Sequence, residues 1–265
     1  MSSPIISLRN VEKHFGDVQA VRGISFNVQP GSIVAFLGPN GAGKTTTIKM
    51  LTTLLRPTSG TLMIDGHDTV HDQAGARRAF GIVFQDFSLD DELTAEENLS
   101  MHAILYGVSP SIARTRVAEL LEFVGLADRR ANLVKTFSGG MKRRLEIARS
   151  LIHEPRVLFL DEPTVGLDPQ TRNHLWEYIQ TLSKKNGMTV FFTTHYMEEA
   201  DRYAEHVAVI DHGSIIAEGS PHTLKERTMK TNLEDAFLSL TGHTIRDESA
   251  SSADAMRQAH RMWRR

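Results

Sequence analysis

Gly38-Pro39-Asn40-Gly41-Ala42-Gly43-Lys44-Thr45 is the stretch on which the fold turns. An apolar run, Ile33 to Leu37, precedes it, and a helical pattern beginning near Thr46 follows it. That is the strand, glycine loop and helix order a phosphate-binding loop requires, and all fixed positions of G-x-x-x-x-G-K-[ST] match. The glycines free the backbone to turn successive N–H groups onto phosphate oxygens, and the helix N-terminus adds partial positive charge. Lys44 is expected to reach the terminal phosphates, and the Thr45 hydroxyl to sit on a Mg²⁺ ion bridging them. The chain is therefore expected to bind a nucleoside triphosphate.

The whole chain sets the limits around that site. Its 265 residues, 40% apolar, suit one large domain or two modest ones. The 30 basic and 32 acidic residues leave a formal charge of −2, which gives no basic footprint for nucleic acid. There is no cysteine, so disulfides, thiolate zinc sites and a cysteine nucleophile are excluded, in keeping with a reducing compartment. The N-terminus lacks a basic region followed by an apolar stretch, and no run of about 18 apolar residues occurs, so neither export nor membrane spanning is expected.

Upstream of the loop, residues 5–11 and 24–28 alternate like half-buried strands of a small antiparallel layer. Phe15 lies between them in what reads as a polar loop, either as a core plug or as a platform for a base; the segment alone favours the plug. Downstream, Ile48, Leu51 and Leu55 mark a helix ended by Pro57, and Thr61 to Ile64 a strand. A strand at 81–84 runs into Gln85, then an acidic, polar stretch extends from Asp86 to Asn98. Helices are expected over 98–106 and from Ser109-Pro110 onward, where Val117, Leu120, Leu121 and Val124 form an apolar face. Ser138-Gly139-Gly140 opens another helix, with an apolar stripe at Leu145, Ala148 and Leu151, and its free N–H groups form a second, weaker candidate anion site.

Val157 to Leu160 is an apolar strand delivering Asp161 and Glu162 at its end, where ligands sit in open α/β sheets. Asp161 reads as the carboxylate organising magnesium, and Glu162 as the group polarising a water against the γ-phosphate, the alternative being a solvated turn acid. Thr189 to Thr194 is a further strand ending at a polar group, His195, after a helix over 173–182. Val207 to Ile210 and Ser214 to Ala217 read as a hairpin. Residues 247–256 are small and polar, and 257–265 hold four arginines; the composition favours a disordered end, with a tail for anionic lipid or a partner protein as the alternative.

Together these motifs resemble the ATP-binding cassette of ABC transporters from about residue 5 to residue 240. Gly38 to Thr45 is similar to the Walker A loop, Val157 to Asp161 to the Walker B strand, Glu162 to the catalytic glutamate, Gln85 to the Q-loop glutamine and His195 to the switch histidine. Ser138-Gly139-Gly140-Met141-Lys142 resembles the signature motif, with Phe137 and Met141 replacing its usual leucine and glutamine. Gly166-Leu167-Asp168 resembles the D-loop. The resemblance places an adenine-stacking aromatic at Phe15, reversing the plug reading. It implies an α/β fold: a P-loop NTPase core of the RecA-like kind with a parallel sheet, an N-terminal antiparallel β layer and a helical signature subdomain over about 86–155. The nucleotide-binding domain would then span 1–240, with 241–265 as linker and basic tail.

The same resemblance implies ATP and Mg²⁺ as ligands. Gly38 through Thr46 would hold the nucleotide, and Thr45, Gln85 and, through water, Asp161 would serve the metal. It implies head-to-tail pairing, with itself or with a similar cassette, in which Ser138, Gly139, Gly140 and Met141 close over the partner's nucleotide and Asp168 lies at the interface. Residues 137–150, 194–200 and 232–237 look like those of ABC-2 exporters, the group of daunorubicin-resistance and nodulation-factor ATPases, whose membrane-spanning subunits are separate chains. The expected position is peripheral, at the cytoplasmic face of the membrane, with permease contact around 85–98 and no nucleic acid. A soluble family member acting on ribosomes or DNA is the rival, but ribosomal members usually carry two cassettes per chain and repair members a long coiled-coil insertion, neither of which is present.

Overall fold

The computed structural model describes residues 3–242; the small polar stretch and the arginine-rich end expected over 247–265 lie outside the described residues. The chain opens with β1 (Ile6–Phe15) and β2 (Val18–Val28), then β3 (Ile33–Leu37), α1 (Lys44–Leu51), β4 (Ser59–Ile64), the short β5 (His67–Asp68) and α2 (Gln73–Ala79). The strand β6 (Phe80–Val83) leads to three helices, α3 (Ala95–Leu105), α4 (Pro110–Phe123) and α5 (Gly139–Leu151). Then β7 (Val157–Asp161), α6 (Pro169–Asn186), β8 (Thr189–Thr193), α7 (Met197–Tyr203), the antiparallel pair β9 (His206–Asp211) and β10 (Ser214–Gly219), α8 (Pro221–Thr228) and α9 (Leu233–Thr241) complete the described chain.

Two sheets result. The order β2-β1-β4-β5 is antiparallel throughout, as the alternation over 5–11 and 24–28 implies. The second has the order β10-β9-β3-β8-β7-β6, in which β9, β3, β8, β7 and β6 run parallel. Parallel strands covered on both faces must be apolar on both sides, which is why β3 and β7 read as unbroken apolar runs. Val34 and Phe36 face a core shared with the antiparallel sheet and α1, while Ile33, Ala35 and Leu37 face Trp176 and Ile179 of α6. A third core, Leu99, Val117, Leu121, Leu145 and Ala148 among its members, holds the three helices together away from both sheets.

Among the boundaries that differ from the sequence reading, two have an identifiable local cause. The polar loop expected around Phe15 is instead a continuation of the β1–β2 ladder, with Phe15 paired to Val18 across a tight Gly16-Asp17 turn. Register shifts between Leu8 and His14 break the period of two that marks a strand, so the second half of β1 has no alternation to read. Secondly, α3 starts at Ala95 inside the stretch read as polar and acidic. Thr94 accepts from the Glu97 amide at 3.2 Å, while Glu97 accepts from the Thr94 amide at 2.8 Å: a complete capping box. A Thr94→Ala chain should lose about 1 kcal/mol of stability. That is a fall of roughly 2–4 °C in the melting temperature; an unchanged melting curve would refute the role of the cap.

Candidate functional site

The ends of the parallel strands bring the predicted residues to one edge. β3, β8, β7 and β6 are consecutive neighbours in the sheet, and their C-terminal ends deliver Gly38, Thr194-His195, Asp161-Glu162 and Gln85. Ligands of open parallel sheets bind at such an edge.

The glycine loop is tightly built. Gly43 precedes α1 in a left-handed conformation, φ 109°, and a Cβ there would lie 2.7 Å from the Ala20 carbonyl oxygen of β2. That contact admits only glycine and seats the loop on the antiparallel layer. Ala42 is buried, whereas Asn40, Gly41 and Thr45 are exposed and Pro39 and Thr46 half-buried. The Lys44 side chain, 8% exposed, curls back so that Nζ donates to the carbonyls of Gly38 at 2.6 Å and Pro39 at 3.2 Å. Burial lowers its pKa, opposed by the charges of Glu162 and Asp161.

The two carboxylates after β7 have different surroundings. Asp161 is buried and accepts from Thr193 Oγ1 at 2.6 Å; burial nevertheless raises its pKa, with the hydrogen bond opposing. Glu162 has φ 50°, a left-handed conformation rare outside glycine, with its amide bonded to Thr193 O at 3.2 Å and Oγ1 at 3.1 Å. Strained backbone of this kind clusters at functional sites. The turn carries the Glu162 side chain to His195, with Oε2 3.4 Å from Nδ1, at 17% and 49% side-chain exposure respectively.

Around these lie braces that sequence reasoning missed. Thr194 Oγ1 donates to Glu199 Oε2 at 2.8 Å and accepts from the Tyr196 amide at 3.0 Å. Arg172 of α6 faces Glu199 at 3.6 Å and lies over the Tyr196 ring at 4.2 Å. The His195 segment is thus tied to α6, which begins four residues before Arg172 at its cap, Asp168. Asp168 accepts from the Gln170 and Thr171 amides and from Thr171 Oγ1 at 2.6 Å, the last of these being the main reason its carboxyl titrates low.

Of the other predicted residues, Gln85 lies at the same sheet edge, whereas Phe15 ends β1 of the antiparallel sheet and Ser138–Met141 opens α5. The Phe15 ring is 42% exposed with Lys13 Nζ 5.1 Å from its centroid, so it is not a core plug. Gln85 is exposed, and no bond of its side chain is present among the described residues. Ser138 caps α5, accepting from the Met141 amide at 3.3 Å, and leaves Gly139 exposed and Gly140 half-buried against Thr171. No hydrogen bond or ion pair among the described residues joins Ser138–Met141 to the glycine loop.

Magnesium fits this donor set. Thr45, Gln85 and Asp161 offer a hydroxyl, an amide and a carboxylate, all hard oxygen donors. No cluster of three or more His, Asp or Glu able to cage an ion occurs among the described residues, which suits an ion that binds mainly through phosphates and water.

Comparison with known proteins gives a consistent result. A family model described as ABC transporter matches residues 21–165. The daunorubicin/doxorubicin resistance ATP-binding protein DrrA of Streptomyces peucetius is 46% identical over 235 residues, spanning 87% of this chain and 71% of that protein. The Nod factor export ATP-binding protein I of Burkholderia orbicola is 47% identical over 226 residues, 85% of this chain and 74% of that one. Among solved structures, a dimeric post-hydrolysis state of the ATP-binding cassette MJ0796 bound to ADP and Pi superposes with a TM-score of 0.72 at 31% identity, covering 81% of this chain and 98% of that chain.

Proposed function

The chain belongs to the ABC transporter family, as one of its ATP-binding, ATP-hydrolysing subunits, and we propose that it energises an exporter whose membrane-spanning subunits are separate chains. The observation that carries the catalytic part is the convergence of Lys44, Asp161, Glu162, His195 and Gln85 on one sheet edge. Water attacks the γ-phosphorus in line, a new P–O bond forms, and the bond to the β–γ bridging oxygen breaks. Glu162 orients that water and takes its proton, His195 holds the γ-phosphate, and Lys44 with the loop amides stabilises the charge as it develops. Mg²⁺, when bound, offsets phosphate charge; Thr45, Gln85 and Asp161 would hold it, the last through water.

Phe15 serves as the base platform. Ser138 to Met141, which no bond among the described residues ties to the glycine loop, close over the nucleotide of a second cassette, and Asp168 lies at that interface. The γ-phosphate binds the closed pair better than the open one, and its hydrolysis removes that difference. The domain runs from 1 to 240.

On the membrane side, Phe87, Met101, Ile104 and Leu105 expose apolar surface along the 86–105 segment, while no helix of the described residues is long and apolar enough to cross a bilayer. A permease subunit would cover that surface at the cytoplasmic face. The relatives named for drug resistance and Nod factor export favour outward transport. Co-expression with the product of a neighbouring reading frame bearing about six apolar spans should yield a detergent-stable complex with ATP-stimulated transport. Recovery of the chain with ribosomes or DNA instead would overturn the membrane role.

A further inference from the structure

We propose that Arg143 and Glu146 are positioning residues that lock the Gln85 loop to the helix bearing Ser138–Gly140, so that one body serves two nucleotides. Both side chains are almost completely buried, at 2% and 1%, and lie one helical turn apart on α5. Arg143 Nη1 donates to Glu146 Oε2 at 2.9 Å and to the Phe84 carbonyl, and Nη2 donates to the Gln85 carbonyl at 2.7 Å. Glu146 Oε1 accepts from the Ser88 amide at 2.7 Å and the Ser88 hydroxyl at 3.1 Å. A turn further on, Arg149 Nη1 donates to the Ser88 carbonyl at 2.7 Å. The Arg143 guanidinium also lies 4.9 Å from the centroid of the Phe87 ring, whose edge would touch a Cβ at Gly139.

Three of the five side-chain nitrogen and oxygen atoms of Arg143 and Glu146 are thus bonded to the backbone of residues 84–88. Gln85 keeps its side chain free while its carbonyl is fixed, so the position of α5 sets where that side chain can reach. The N-terminus of the same helix carries Ser138 to Gly140. A buried ion pair adds little to stability over an apolar pair of similar volume, and here Arg143 Nε remains buried without a hydrogen-bond partner. What the pair adds is geometry: Gln85 at its own nucleotide and the signature segment at the partner's cannot move separately.

This inference rests on the paired-cassette reading, and its test separates the two. Arg143→Met alone leaves Glu146 buried without its cation and can unfold the chain, so the decisive variant is the double Arg143→Met, Glu146→Leu, made in the full chain and also in a Glu162→Gln background. Melting temperature, fluorescent ATP-analogue binding, phosphate release and ATP-driven dimerisation of the Glu162→Gln form are measured. The double variant should melt near the parent and bind nucleotide within about threefold, yet hydrolyse about 30- to 100-fold more slowly, as misplacement of reacting groups by about 1 Å does. It should also fail to dimerise on ATP. Turnover and dimerisation recovering together with the melting temperature would overturn the proposal by showing a purely structural pair. Failure of the Glu162→Gln parent itself to dimerise on ATP would count against the paired-cassette reading instead.

Discussion

The Glu162→Gln chain is expected to bind ATP with the parent's affinity and to hydrolyse it about a thousandfold more slowly, the range a positioned general base contributes. Glutamine has the same length and keeps an oxygen to accept a hydrogen bond, so the amide link to Thr193 and the left-handed turn at φ 50° need not change. What is lost is the capacity to take a proton and the negative charge 3.4 Å from His195 Nδ1. Binding should survive because Lys44, held by the Gly38 carbonyl, and the glycine loop, the groups proposed to hold the phosphates, are untouched. The measurement pairs equilibrium binding with phosphate release at saturating ATP. Release within about threefold of the parent would remove Glu162 from the reaction. Loss of binding and turnover together would mean that the residue shapes the site rather than acting in it.

The parts of this site that could be read from the sequence are those whose signal is local. Gly38 to Thr45 carries its own backbone chemistry, and β3, β7 and β8 are buried on both faces, so their apolar runs end visibly at the residues they deliver. Phe15 reads as a loop residue because β1 is bulged just before it, and the start of α3 is masked by the acidic, polar stretch that holds Glu96 and Glu97, although Thr94 and Glu97 have the capping-box spacing. Arg143, Glu146, Arg172 and Glu199 were invisible for a different reason. On a helix a charged residue ordinarily signals a solvated face, and the Arg143 and Glu146 partners are backbone atoms of 84–88, nearly sixty residues upstream. No local pattern encodes that a chain will return to exactly those carbonyls. These charges are the connections between the pieces that the motifs identify.

The Lys44→Ala chain should fail at the earlier step. Lys44 Nζ donates to two loop carbonyls, and burial lowers its pKa while the charges of Glu162 and Asp161 oppose that shift. When a triphosphate occupies the loop, that ammonium is the group placed to offset its charge against two nearby carboxylates. Without it, Lys49 is the other lysine whose charge acts on Asp161, and more weakly. A charge-assisted hydrogen bond contributes about 1.5–3 kcal/mol, so ATP binding should weaken about 10- to 150-fold, with hydrolysis falling at least as far. Thermal melting gives a clean readout. ATP at about 100 times the parent's Kd should stabilise the parent by about 2.7 kcal/mol, and the same concentration should stabilise Lys44→Ala by only about 0.3–1.4 kcal/mol, with a ligand-free melting temperature near the parent's. Lys44→Arg sharpens the test, because it restores charge without restoring the compact ammonium that fits between the Gly38 and Pro39 carbonyls. If Lys44→Arg recovers hydrolysis, long-range charge suffices. If it stays inactive, the position of the ammonium on the terminal phosphates is what the loop was built to fix.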